Sequence, residues 1–399
     1  MKLLVIGAGQ MGSAAAYDMA QSPEVKHVTL ADSDYRRAKD AASRINKLAR
    51  SKKVEADEID AGSEKAARKL MRDHDAALSA VPYFYNLGLA KAAIDAGCHF
   101  ADLGGNNRVV RAELDLSRKA EKAEVAIAPD CGLSPGMASV LAGELMRRIG
   151  GRADSLKIYV GGLPVKPKPP FNYQMVFSVE GLINEYVEPA KILRHGKITT
   201  IEPLTEIESF KLDGLPTLEA FHTSGGTSTL PETFEDQVGE CFEKTLRFPG
   251  HCAMIRGLYD LGMFSSERRR INGVQISPRE VTAKLLEEKL SGDGQDMTVL
   301  RVEADSPGPG ALRRLLGKRP EPQRRMSFTL IDRYDPETDM TSMMRTTAWP
   351  ASIVLQMLAS GVISKRGAVL QERDVPAKEF LETMARRGIE IRYESKLAS

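Results

Sequence analysis

Along the first third of the chain, apolar positions alternate between two spacings. Leu3-Leu4-Val5-Ile6 is a short apolar run that ends in glycines, Gln10 to Gln21 follows with helix-compatible spacing, and His27-Val28-Thr29-Leu30-Ala31 reads as a second strand. That is a βαβ unit. The alternation continues with helices over Tyr35 to Lys52, Glu64 to Met71, Asn86 to Ala96 and Val110 to Ala123. Between them fall strands over Lys53 to Ile59, Ala76 to Val81, His99 to Leu103 and Val125 to Ala128. Six strands separated by helices predict a doubly wound parallel sheet.

Beyond about residue 135 the texture changes. Leu156-Lys157-Ile158-Tyr159-Val160 runs into Gly-Gly and a proline-rich stretch, Pro164 to Pro170. Strand-like segments follow at Thr199 to Ile201, Val274 to Ile276, Met297 to Ala304 and Met326 to Ile331, with a helix over Pro278 to Leu290. This predicts a second α/β domain on a mixed or antiparallel sheet, whose topology the spacing leaves open. Ser306 to Arg325 is rich in Pro, Gly and Arg, interrupts an apparent hairpin, and reads as an exposed loop with a solvated basic surface. Helices return over Ala351 to Ser360 and Ala377 to Arg387.

Gly7-Ala8-Gly9-Gln10-Met11-Gly12 stands directly after a predicted strand and opens a helix. Gly7 permits the tight turn, Gly9 lets backbone amides approach a pyrophosphate, and Gly12 permits close packing of helix on strand, while the helix N-terminus stabilises phosphate charge. Asp32 ends the second strand, where a carboxylate accepts hydrogen bonds from adenosine ribose hydroxyls and repels a 2′-phosphate. NAD is therefore the expected cofactor, with Arg36-Arg37 just downstream as the feature that favours NADP. Asp60 either faces the adenine or caps the next helix. The nicotinamide end is expected beyond the later strands, at Val81, Pro82 and Asn86, at Leu103, Gly104 and Gly105, and at Pro129 to Gly136.

Composition narrows the partners. With 399 residues, 56 basic against 54 acidic side chains and a formal charge of +2, the chain has no field that selects nucleic acid or an anionic membrane, and a small-molecule partner is expected. The first apolar run is too short for a signal-peptide core or a membrane span, so a cytoplasmic protein is expected. Cys98, Cys131, Cys241 and Cys252 lack CxxC or zinc-ligand spacing, so no metal is expected; Cys131 reads as a small buried filler rather than a nucleophile.

Several longer strings resemble the saccharopine dehydrogenase/reductase family, and within it the bacterial lysine 6-dehydrogenases, over nearly the whole chain. They are Gly7 to Gly12, Asp102 to Gly105, Pro129 to Met137, Tyr159 to Pro164, Phe177 to Leu182, Leu218 to Leu230 and Lys244 to His251. The resemblance implies a Rossmann domain over residues 1–134, completed by C-terminal helices at 347–399, with residues 135–346 forming a catalytic and dimerisation domain and the chain a homodimer. It also implies oxidation of the ε-amine of L-lysine with NAD and water to 2-aminoadipate 6-semialdehyde, which cyclises to a piperideine carboxylate, with release of ammonia. The loop over Ser306 to Arg325 departs from the family in length and basicity.

Hydride loss from an amine needs a neutral nitrogen, so an ammonium must first lose a proton to a base. Asp130, Glu180 and His222 are the candidates, each in a loop expected near the cleft. His222 is equally a structural histidine bonded to a carbonyl, and Glu180 equally a helix N-terminal acid. Arg247 is the candidate cation for the substrate carboxylate, with Thr223, Ser224 and Gly225 beside it. Two alternatives stand: a saccharopine-type or carboxynorspermidine-type dehydrogenase, which needs extra cations for its additional carboxylates, and a non-catalytic NAD-binding sensor.

Overall fold

The computed structural model describes residues 1–292, 294–307 and 323–397, which divide into two compact units. Unit 1 takes Met1–Glu144, Pro336–Met340 and Met344–Ile389; unit 2 takes Leu145–Asp335, Thr341–Met343 and the residues from Glu390 onward.

Unit 1 is built on strands β1 (Lys2–Ile6), β2 (His27–Asp32), β3 (Val54–Glu58), β4 (Ala76–Ser79), β5 (His99–Asp102) and β6 (Ala126–Ala128). They lie parallel in the order β3-β2-β1-β4-β5-β6, so the winding reverses between β1 and β4. The intervening helices are α1 (Gln10–Gln21), α2 (Tyr35–Leu48), α3 (Glu64–Met71), α4 (Asn86–Ala96), α5 (Asn107–Leu114) and α6 (Ser117–Lys122). Leu3 to Ile6 and Ala76 to Leu78 are buried throughout, as strands covered on both faces must be. The doubly wound parallel sheet is thus present.

Two details differ from the sequence pattern. The helix expected over Val110 to Ala123 is two helices; the Ser117 hydroxyl, at the start of the second, donates to Glu121 and accepts the Ala368 N–H. Ala368 belongs to a seventh strand, Gly367–Ala368, which adds parallel to β6. Two residues are too few to show a period. The C-terminal helices Ser342–Ser360 and Ala377–Arg386 are tied to α1 through Asp18, which takes the Arg387 guanidinium, the Ser352 hydroxyl and the Gln356 amide. Without Arg387 the buried Asp18 carboxylate would be an uncompensated charge.

Unit 2 holds β7 (Ala153–Pro164), β8 (Ala190–Arg194), β9 (Lys197–Ile201), β10 (Glu208–Phe210), β11 (Leu218–Phe221), β12 (Val238–Arg247), β13 (Arg269–Ile271), β14 (Val274–Ile276), β15 (Asp296–Asp305) and β16 (Arg324–Arg333). Its main sheet runs β10-β11-β12-β7-β15-β16 and ends on Arg392–Leu397, with the β8–β9 hairpin attached to β12 and β13–β14 a separate hairpin. β7 and β12 are parallel and the remaining pairs antiparallel, so the sheet is mixed. Its helices include α7 (Ala138–Ile149), which crosses the division between units, α8 (Val179–Val187), α9 (Leu230–Phe234), α10 (His251–Asp260) and α11 (Pro278–Leu290).

β7 does not stop at Gly161-Gly162. A Cβ at Gly161 would stand 2.6 Å from the Leu246 carbonyl oxygen, and one at Gly162 2.5 Å from Met343, so these glycines admit neighbours rather than make a turn. The last strand pairs with β16, and Arg148 lies over its Tyr393 ring at 4.2 Å; residues 392–397 thus join this sheet rather than the Rossmann unit. The β15–β16 hairpin expected on either side of Ser306 to Arg325 is present, while most of that loop, residues 308–322, lies outside the described residues. Among the described residues no helix is long and apolar enough to cross a membrane.

Candidate functional sites of the two units

The glycine turn of unit 1 follows from backbone geometry. Gly7 sits at φ +105°, and a Cβ there would meet the Ala80 carbonyl oxygen at 2.6 Å. At Gly12 a Cβ would lie 1.8 Å from the Gly7 oxygen, which fixes how closely α1 packs on the turn. Gly9, the N-cap of α1, has open space in that direction, and it is exposed together with Gln10 while Met11 is half-buried. The residues therefore fit a dinucleotide: a helix N-terminus with an open approach at its first residue. Gly12→Ala should abolish both the fold of unit 1 and NADH binding. Gly9→Ala should melt like the parent yet bind NADH at least about tenfold more weakly, a contrast that circular dichroism and NADH fluorescence would read.

Asp32 is buried at the end of β2. One of its oxygens accepts the Ala8 N–H at 2.8 Å and the other the Asp34 N–H at 3.0 Å, with the Arg37 guanidinium 3.8 Å away. Its carboxylate is thereby locked onto the glycine turn. Asp60 is exposed and accepts the Gly62 N–H; the cap of α3 is Ser63 instead.

The loops at the carboxyl ends of β4, β5 and β6 are joined by polar contacts. Val81 packs near Gly7 and Pro82 is exposed, while the Ser79 hydroxyl donates to buried Asn86. Asp102 is wholly buried, and its Oδ1 accepts the N–H groups of Gly104 and Asp130. Leu103 and Gly104 are half-buried and Gly105 exposed. Asp130 is held at φ +58°, its carboxyl so close to Gly104 that a Cβ there would lie 1.8 Å from Oδ1. Cys131 donates to the Ala128 carbonyl, and Gln371 donates to both Cys131 Sγ and the Pro129 carbonyl. Burial and then the Asp102 charge raise the Cys131 thiol well above its ordinary pKa, so it remains protonated and packs as filler.

In unit 2 the chemistry gathers on one face of β12. Side chains alternate along a strand, so Glu243, Thr245 and Arg247 share a face and Phe242, Lys244 and Leu246 take the other. Arg247 is 3% exposed, has its guanidinium carbon 4.6 Å above the Tyr173 ring, and lies 3.9 Å from the Glu185 carboxylate. Glu185 and Tyr186 come from the last turn of α8, whose N-terminus is capped by Ser178. Tyr186 hydrogen-bonds His251, whose Nδ1 faces the Phe171 carbonyl at 3.0 Å. A carbonyl accepts only, so Nδ1 carries the proton and Nε2 accepts from Tyr186. Burial, with Arg247 nearby, pushes the His251 pKa down to about 3 and keeps the ring neutral. Glu219 positions His251 by accepting the Gly250 and Cys252 N–H groups at the start of α10.

Both carboxyls of this cluster are shifted upward. Desolvation raises Glu185 to about 7 against the opposing pull of Arg247, although 30% of its side chain meets solvent. Desolvation and then the Glu185 charge raise buried Glu243 to about 8, opposed by hydroxyl donation from Thr223 and Thr245, each at 3.2 Å. Gly226 leaves the room, since a Cβ there would lie 2.5 Å from Glu243 Cγ.

Of the residues singled out in the sequence, Arg247 and Thr223 both belong to this cluster, Thr223 through its hydroxyl bonds to Glu243 and Thr245. Ser224 gives its N–H to the Glu185 carbonyl, and Gly225 follows at φ +99°. His222 is buried with Nδ1 at the Glu243 carbonyl and Nε2 at Glu206, and burial, then Lys244, lowers its pKa. Those bonds match its structural reading. Glu180 stands apart from this cluster in the first turn of α8, 56% exposed and bridged to Arg279 at 2.6 Å. Glu185, Glu243, Tyr173, Tyr186 and His251 were not among the residues singled out.

A doubly wound sheet with this glycine turn and a carboxylate at the end of β2 defines a dinucleotide-binding protein. Residues 3–128 match the family description "Saccharopine dehydrogenase NADP binding domain" and residues 132–389 match "Saccharopine dehydrogenase C-terminal domain". The chain belongs to the saccharopine dehydrogenase family of NAD(P)-dependent oxidoreductases. It is 25% identical over 260 residues to the NADP(+), L-glutamate-forming saccharopine dehydrogenase of Schizosaccharomyces pombe, covering 62% of this chain and 56% of that one. It is also 21% identical over 284 residues to the mitochondrial alpha-aminoadipic semialdehyde synthase of Mus musculus, covering 67% of this chain and 29% of that one. The matches thus span little more than half of these curated relatives, or less. In fold it resembles apo saccharopine dehydrogenase (L-Glu forming) from Saccharomyces cerevisiae, with a TM-score of 0.78 at 19% identity over 99% of each chain. The homospermidine synthase of Legionella pneumophila in complex with NAD has a TM-score of 0.67 at 11% identity, covering 100% of this chain and 91% of that one.

Proposed function

We propose that the protein catalyses NAD-dependent oxidative deamination of the ε-amine of L-lysine. The observation that carries this reading is the charge content of the unit 2 cluster: one buried guanidinium, Arg247, with two carboxyls, Glu185 and Glu243. L-lysine at neutral pH is its complement, with one carboxylate and two ammonium groups, whereas saccharopine carries three carboxylates. Arg247 would hold the substrate carboxylate as a planar fork. Bound ammonium groups would draw the raised carboxyls into their ionised forms.

Glu185, the solvent-facing carboxyl, is poised near neutrality to take the proton from the ε-ammonium. A nicotinamide held by the glycine turn of unit 1 would supply the hydride acceptor. Loss of hydride from Cε leaves an iminium on the substrate; water adds to it, and ammonia leaves as the semialdehyde forms. The resulting aldehyde condenses with the α-amine, loses water and closes the piperideine ring. NAD rather than NADP is supported by Asp32, whose carboxylate is fixed on the glycine turn.

The similarity to saccharopine dehydrogenases favours a second reading, cleavage of saccharopine. Initial rates with L-lysine, cadaverine and saccharopine, each with NAD and NADP, separate the two. Our reading predicts turnover of L-lysine with NAD and little of cadaverine, which lacks the carboxylate for Arg247. Turnover of saccharopine alone would overturn it.

A further inference from the structure

Glu113, on α5, is fully buried, and neither of its carboxyl oxygens finds an N–H or O–H donor. Oδ2 of Asp102, also fully buried, is likewise without a donor. Two carboxyl groups within hydrogen-bonding reach cannot both be anionic there without a large desolvation and repulsion cost. Buried polar atoms in folded proteins are almost always satisfied, and one proton on the pair gives Asp102 Oδ2 a donor and joins one Glu113 oxygen to it. The other Asp102 oxygen accepts from Gly104 and Asp130, on the turns that follow β5 and β6.

We propose that Glu113 and Asp102 share one proton, Glu113 as acid donating to Asp102 as carboxylate, and that this pair is the positioning device that fixes the Gly104 and Asp130 turns for the nicotinamide half of the cofactor. The inference rests on the reading that unit 1 binds NAD. The charged groups weighing on Glu113 are Asp102 and Asp130, both acidic, and with burial they push its pKa upward, so the proton stays on Glu113 at neutral pH. Asp102 remains the acceptor because two N–H groups stabilise its charge. Deprotonating Glu113 would place two adjacent anions in the interior, and removing its acid group would leave Asp102 a buried charge with one oxygen unbonded.

The test uses the full-length protein and two variants. Infrared difference spectra between the parent and Glu113→Gln at pH 7.5 should contain a carboxylic-acid carbonyl band belonging to the parent, a signature that a merely space-filling role would not produce. NADH titrations should show Glu113→Gln, which retains a donor, binding within about twofold of the parent, and Glu113→Leu binding at least about tenfold more weakly. Absence of the acid band overturns the proposal, as does unchanged NADH affinity in a folded Glu113→Leu. If Glu113→Leu fails to fold, the band and the Glu113→Gln affinity decide. A parent that binds no NADH would instead defeat the reading of unit 1, while the band would still report on the proton.

Discussion

Replacing Arg247 with leucine should lower kcat/KM for L-lysine by about 30-fold to several thousandfold while leaving NADH affinity at the parental value. Truncating one partner of a buried, hydrogen-bonded charge pair costs about 2–5 kcal/mol, and each 1.4 kcal/mol is about tenfold. The leucine fills the space over Tyr173 but offers nothing to a carboxylate, and the cost falls on substrate binding because the glycine turn lies in the other unit. Arg247 is also the cation that opposes the upward shifts of Glu185 and Glu243, so both carboxyls should titrate at higher pH in the variant. Arg247→Lys, which retains charge but not the planar fork, should fall between the two. Steady-state kinetics across pH with a parallel NADH titration measure all three effects, and a parental KM for lysine in Arg247→Leu would remove the assignment.

The second large effect belongs to Glu185. A carboxyl accepts a proton only when ionised, so with its pKa near 7 the parental kcat/KM should rise with pH through that value. Glu185→Gln should erase this limb and reduce kcat by about 10²- to 10⁴-fold, the contribution of a positioned general base. Loss of KM with kcat intact would make Glu185 a binding group instead. Persistence of the limb at an unchanged midpoint would assign it to another residue.

How far the sequence reveals this arrangement varies with the kind of signal. The Rossmann unit is legible because strands buried on both faces read as continuous apolar runs, and because the glycine turn must lie between a strand and a helix. Gly367–Ala368 is not, since two residues carry no period. Arg247 and Thr223 stand out in long irregular strings, but Glu243 does not: Glu243, Thr245 and Arg247 alternate with Phe242, Lys244 and Leu246, a pattern that reads as a strand with a solvated polar face. Only the neighbours of β12 show that face to be covered. Glu185 is hidden for a similar reason, as a charged residue in a helix's last turn is ordinarily solvated. Glu180 is the opposite case, an acid in the right stretch of sequence that stands in the first turn of α8, behind the Ser178 cap, and pairs with Arg279. His251 sits within a noticed string, yet its role depends on Tyr186, 65 positions earlier, which local spacing does not reach.

The most direct test of the central claim is the ratio of ammonia released to NADH formed when the parental protein turns over L-lysine with NAD. Oxidative deamination predicts one ammonia for each NADH, with Arg247→Leu losing both in step. NADH formed from saccharopine with release of glutamate and no ammonia would contradict it.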